Sequence, residues 1–105
     1  MSLTMFCIYI LYSHIADKYY VGQTDDVHRR LGEHNHPLVN TKFTAKYTPW
    51  NLVLSFPVSN ERAESMRIEK FIKHQKSRKF ILELIQNKEN PEFFVKLIKD
   101  VLVVG

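Results

Sequence analysis

Apolar positions run almost unbroken from Phe6 to Tyr12 (FCIYILY), and their aromatic and β-branched side chains predict a buried strand. The polar stretch Ser13–Asp17 separates it from Lys18–Gly22 (KYYVG), a second strand; so short a connection favours an antiparallel hairpin. Thr24 or Asp25 can cap a helix running to about His34, with Asp25 and Asp26 at the positive end of its dipole. Gly32 weakens that helix by roughly 1 kcal/mol relative to alanine. From His36 to Pro49 the pattern dissolves into Thr, Lys and two prolines, which predicts a long loop, and a loop of such length usually has a task. Trp50–Val58 (WNLVLSFPV) reads as a third strand. Ser59 or Asn60 then caps a helix to about Gln75, and Ser77 caps another to about Asn87. Asn90-Pro91-Glu92 opens a last helix over about 91–103, which sets Phe94, Leu97, Ile98, Val101 and Leu102 at helical spacing. The predicted fold class is α+β, a three-stranded antiparallel sheet flanked by helices, in the order ββαβαα plus the C-terminal helix.

Composition adds bounds. A chain of 105 residues with 45% hydrophobic content suits one domain, expected to span 1–105. Cys7 is the only cysteine, so neither an intrachain disulfide nor a cysteine-rich zinc site can form. No apolar run is long enough to cross a membrane, and the N-terminus lacks a secretion signal, so the expected location is cytoplasmic without membrane contact. The net charge of +4 suits a polyanionic partner without requiring one. Six cations (Arg67, Lys70, Lys73, Lys76, Arg78, Lys79) against Glu69 alone mark the stretch from 67 to 79, which on charge alone is a solvated face.

The first helix carries the most informative local signal. Val27 and Leu31 are its apolar residues, and at about 100° per residue Arg30 and His34 fall beside them, whereas His28, Arg29 and Glu33 point elsewhere. A cation in an inward stripe is costly unless it reaches a counter-charge, a cleft or solvent. His34-Asn35-His36 lacks the partners of a zinc site. Tyr9, Tyr20 and Glu69, taken singly, are two strand aromatics and a border carboxylate.

Taken together they are more. Ile8-Tyr9-Ile10, Tyr20-Val21-Gly22 and Arg30-Leu31, continuing through His34-Asn35, Thr44-Ala45, Ala63, Glu69 and Lys76-Ser77-Arg78-Lys79, resemble the GIY-YIG endonuclease signature. Cys7 stands where that signature has its glycine. The resemblance covers about Met5 to Ile85, is nearest to the short stand-alone bacterial members, and extends more distantly to the N-terminal domain of the excinuclease. It implies a metal-dependent endonuclease with Tyr9, Tyr20, Arg30, His34 and Glu69 as catalytic residues. Glu69 would hold a single Mg²⁺ or Mn²⁺ ion, Tyr9 would help deprotonate water once a nearby cation or metal favoured its phenolate, and Arg30 would stabilise the phosphorane. His34 would bond Tyr9 or phosphate, or relay a proton, and Tyr20 would position water or phosphate. Gly22 would allow close backbone approach, and Lys42, Lys46, Lys73, Lys76 and Arg78 would contact nucleic acid, DNA in preference to RNA, with low sequence specificity and a place in repair or recombination. The last helix lies outside the resemblance and packs the core or forms a dimer face, so the expected state is a monomer or weak homodimer. The alternatives are a nucleic-acid-binding or repair-accessory module with little cleavage, and a protein that only dimerises through Phe93–Val104.

Overall fold

The computed structural model describes residues 4–36 and 43–104. Three strands, β1 (Phe6–Ser13), β2 (Lys18–Thr24) and β3 (Trp50–Ser59), form one antiparallel sheet in the order β2-β1-β3. Four helices accompany it: α1 (Val27–Asn35), α2 (Arg62–His74), α3 (Arg78–Gln86) and α4 (Pro91–Val104). The predicted α+β class and element order hold, with strands one or two residues longer than the pattern marks.

β1 is the central strand and is covered on both faces, which is why its sequence shows no polar alternation. Ile8 and Ile10 point to one face, where they join Val21, Leu54 and Phe56 against Ile68 and Ile72 of α2, Ile81 and Leu84 of α3, and Phe94 of α4. Tyr9 and Leu11 point to the other and pack with Trp50, Tyr20, Leu52, and Val27 and Leu31 of α1. The sheet therefore separates a large aliphatic cluster from a smaller one rich in aromatic rings. β2 is an edge strand, and it carries Tyr20 and Gly22 on the aromatic face.

Three local expectations are corrected. Part of the predicted loop is a 3-10 helix, Phe43–Tyr47, too short to impose a periodic pattern. The cap of α1 is Asp26, whose side chain accepts from the Arg29 N–H, while Thr24 Oγ1 accepts from the Asp26 N–H and shapes the approach. α2 starts after Glu61 without a side-chain cap bond; Ser59 instead accepts from the Glu61 N–H and donates to Glu64. Ser77 caps α3 as expected, accepting from the Phe80 N–H.

Lys76 adopts φ +47 between α2 and α3, and Asp17 adopts φ +52 in the β1–β2 turn. Both are left-handed positions held by non-glycine residues, at a cost the surroundings must offset. Asp17 has such surroundings: it accepts from the Tyr12 hydroxyl at 2.6 Å and pairs with Arg78 across the sequence. Arg78 also donates to the Asp17 carbonyl and lies over the Tyr19 ring, so the hairpin turn is fastened to the start of α3.

Candidate active site

The site begins with one register. Tyr9 of β1 pairs with Gly22 of β2, and the Tyr9 ring lies across the glycine. A Cβ on Gly22 would fall 2.4 Å from Tyr9 Cζ and Oη. The glycine therefore gives room to a side chain of the protein itself, a use that the sequence alone does not announce.

From there the Tyr9 hydroxyl reaches the inward face of α1. His34 Nε2 lies 2.9 Å from Tyr9 Oη, and His34 Nδ1 lies 3.0 Å from Thr44 Oγ1 of the 3-10 helix. All three residues are nearly inaccessible to solvent. The Arg30 guanidinium, one turn earlier on α1, is close enough for its charge to act on Tyr9 and forms a 2.7 Å ion pair with Glu33. Helical spacing predicts Arg30 and His34 on the inward face, and both lie there. Which ring nitrogen carries the proton decides which of the bonds to Tyr9 and Thr44 His34 donates and which it accepts.

Tyr20 completes an aromatic triangle. Its centroid lies 6.3 Å from that of Tyr9 and 4.7 Å from that of His34. Lys73 of α2 sits over the Tyr20 ring at 5.4 Å and donates to Glu69 Oε1 at 2.7 Å. Glu69 is 22% exposed and close enough for its charge to act on Tyr9. Tyr9, Tyr20, Arg30, His34 and Glu69 are thus brought together around the edge strand, the first four directly and Glu69 through its field and through Lys73.

Burial decides the protonation states. Removal from water, and then Tyr20 beside it, push the Tyr9 phenol up to about 12, although Arg30 pulls the other way. Arg30 thus acts to favour the phenolate, but desolvation outweighs it. Burial, followed by the nearby Arg30 charge, holds the His34 imidazole down at about 4. For Arg30 itself burial works against the charge, but Glu33 and Tyr9 more than offset it and raise its pKa.

Two features of the site escaped sequence reasoning. Asn35 clasps Trp50 by accepting from its N–H at 2.6 Å and donating to its carbonyl at 2.9 Å. Trp50 in turn donates its indole N–H to the Thr44 carbonyl at 2.7 Å. Secondly, fully buried Ser65 of α2 donates to Gln23 Oε1 at 3.1 Å. Gln23 lines two hollows, one toward Glu69 and Lys70 on α2, the other toward Arg29 and Arg30 on α1. The strand edge is therefore flanked by both helices.

The expected nucleic-acid contacts scatter more widely. Lys73 and Lys76 line a hollow beside Tyr20, with Lys76 exposed. Arg78 lines it too but is engaged by Asp17. Lys46 is exposed on the 3-10 helix, and Lys42 lies outside the described residues.

For a metal, the donor set is sparse: among the described residues no three of His, Cys, Asp and Glu converge. Both ring nitrogens of His34 have partners within the protein. One partly exposed carboxylate suits Mg²⁺ or Mn²⁺, hard ions that can retain waters and take substrate oxygens, better than an ion needing a closed nitrogen and sulfur shell.

A family model described as the GIY-YIG catalytic domain matches residues 5–90, which leaves α4 outside the match. No curated protein matches the chain.

Proposed function

The chain belongs to the GIY-YIG catalytic domain family, a nuclease family, and from that premise we propose that it hydrolyses nucleic-acid phosphodiesters with one Mg²⁺ or Mn²⁺ ion. The substrate is DNA in preference to RNA, cut with low sequence specificity at branches, flaps or ends, as repair or recombination demands. What supports this most is the meeting of His34 with the Tyr9 hydroxyl, with the Arg30 and Glu69 charges within reach.

Glu69 would hold the ion, with Lys73 swinging away from the carboxylate it pairs with in its absence. When bound, the ion neutralises charge on the scissile phosphate and favours ionisation of the attacking water.

Tyr9 keeps its proton at neutral pH and His34 is a neutral imidazole, so a tyrosinate–imidazolium pair is absent at rest. Tyr9 therefore works as a relay and not as a free base. As water gives a proton to Tyr9 Oη, Tyr9 passes its own to His34 Nε2, and the phenol is neutral before and after. The water oxygen bonds to phosphorus while the bond from phosphorus to the leaving oxygen breaks. Solvent protonates the leaving oxygen, and His34 returns its proton to solvent. The growing phosphorane charge favours the imidazolium and the Arg30 guanidinium beside it. Arg30 can serve there while paired to Glu33, because that pair uses only part of its five-donor fork. Tyr20 forms the aromatic wall opposite, and the exposed Lys73 and Lys76 attract the strand.

The test is cleavage of branched and single-stranded DNA, and of matched RNA, by the purified protein with Mn²⁺. Glu69→Ala should abolish cleavage, and Arg30→Ala should lower it by about 10²–10³-fold, as loss of a charge-stabilising donor does. If both variants cut like the parent, the assignment fails.

A further inference from the structure

We propose that Thr44 is a positioning residue for this reaction, holding the His34 imidazole in the form protonated at Nδ1 so that Nε2 faces Tyr9 as a proton acceptor. The inference rests on reading His34 as the acceptor in the relay, but its geometry stands apart from that reading.

A neutral imidazole carries its proton on either nitrogen, and the partner of one nitrogen sets the role of the other. The relay needs Tyr9 Oη to donate to Nε2, 2.9 Å away, and so needs that nitrogen to be bare. The ring proton is then on Nδ1, 3.0 Å from Thr44 Oγ1, which has lone pairs to accept it. Were the proton on Nε2 instead, Tyr9 Oη would accept from it across 2.9 Å, its own O–H would turn elsewhere in a dry pocket, and no proton could pass from Tyr9 to His34.

Thr44 can perform this selection because it is buried and held at its backbone. It is 3% exposed, and its carbonyl is held by the Trp50 indole. Trp50 is clasped at backbone N and O by Asn35, which follows His34 on α1. The path from His34 through Thr44, Trp50 and Asn35 returns to its origin, a closed ring of hydrogen bonds joining α1, the 3-10 helix and β3. A histidine on one helix is thereby aimed by a short helix that comes ten residues later.

The experiment compares Thr44→Val, equal in shape but unable to accept, with Thr44→Ser, which keeps the hydroxyl. Long-range ¹H–¹⁵N spectra of histidine-labelled protein read the tautomer directly, without metal or substrate. The parent and Thr44→Ser should show His34 protonated on Nδ1; Thr44→Val should shift toward the Nε2-protonated form. With Mn²⁺ and branched DNA, Thr44→Val should lose roughly tenfold or more in kcat, with KM within about twofold, while Thr44→Ser stays within a few-fold of the parent. A parent His34 protonated on Nε2 overturns the proposal even if Thr44→Val fails to fold. So does a folded Thr44→Val with unchanged tautomer and kcat. Should the parent cut no nucleic acid, the proposed function fails while the spectra still decide the role of Thr44.

Discussion

Gly22 and Gly32 sit in opposite surroundings, and a methyl group added to each separates them. At Gly22 the new Cβ would meet the end of the Tyr9 ring at 2.4 Å, and that ring cannot swing aside because His34 holds its hydroxyl in a buried pocket. Gly22→Ala should therefore cost about 1–3 kcal/mol of stability, as overpacking does, and should break the Tyr9–His34 contact, so that cleavage is lost even where the variant remains folded. At Gly32 nothing lies within 4 Å, and Gly32→Ala should stabilise α1 by about 0.5–1 kcal/mol. Denaturant midpoints of the two variants, measured beside cleavage, check both signs; a neutral Gly22→Ala would mean that the ring has more freedom than its partners allow. His34 supplies a pH signature. Its folded pKa of about 4 lies below the ordinary 6.5, so between those values the unfolded chain binds more protons. Its contribution to stability is full above about pH 6.5, falls as pH drops toward 4 and levels off below, amounting to about 3 kcal/mol. Unfolding titrations of the parent and His34→Gln should converge across that window; parallel curves would show that His34 titrates normally in the folded protein.

At the scale of elements, legibility follows the length of the pattern. β1, β2 and β3 announce themselves because aromatic and β-branched runs have few other homes. α1 places Arg30 and His34 inward by spacing alone, without reference to any family. Tyr9, Tyr20 and Glu69 are different: each has an ordinary structural reading, and only their joint order along the chain, compared with a known signature, singles them out. The 3-10 helix is invisible in the sequence, because five residues carry no period, and with it goes the role of Thr44. Asn35 and Trp50 are unreadable for a related reason. Their hydrogen bonds depend on where the chain returns after residue 49, and no local rule states that. Ser59 misleads as a cap for α2 because a serine before an acidic turn fits two geometries, a helix cap and the turn that leads into it.

Across the whole molecule, the sheet sets most of the burden of stability on one face and the Tyr9–His34 part of the site on the other, with Glu69 of α2 coming in at the strand edge. The aliphatic cluster under α2, α3 and α4 is the larger, and the aromatic cluster that holds Tyr9 and Trp50 is the smaller. α4 belongs to the first: Phe94 is 5% exposed and stacks on Phe56 with centroids 4.3 Å apart, and Arg67 of α2 donates to the carbonyls of Val101 and Leu102. This helix lies beyond the matched residues 5–90, yet it closes the core that the matched part would otherwise leave open. Phe94→Ala should therefore cost about 3–5 kcal/mol, the usual toll for deleting a buried ring. Marginal stability makes that a large share of the total. Because the ring lies across the sheet from His34 and Thr44, the loss should fall on the unfolding midpoint and leave the rate per folded molecule within about twofold of the parent. Cleavage measured well below the melting temperature, with the folded fraction read from circular dichroism, separates the two. A well-folded Phe94→Ala that cuts tenfold more slowly would show that α4 presses on the site through β3, and the division of labour between the faces would have to be abandoned.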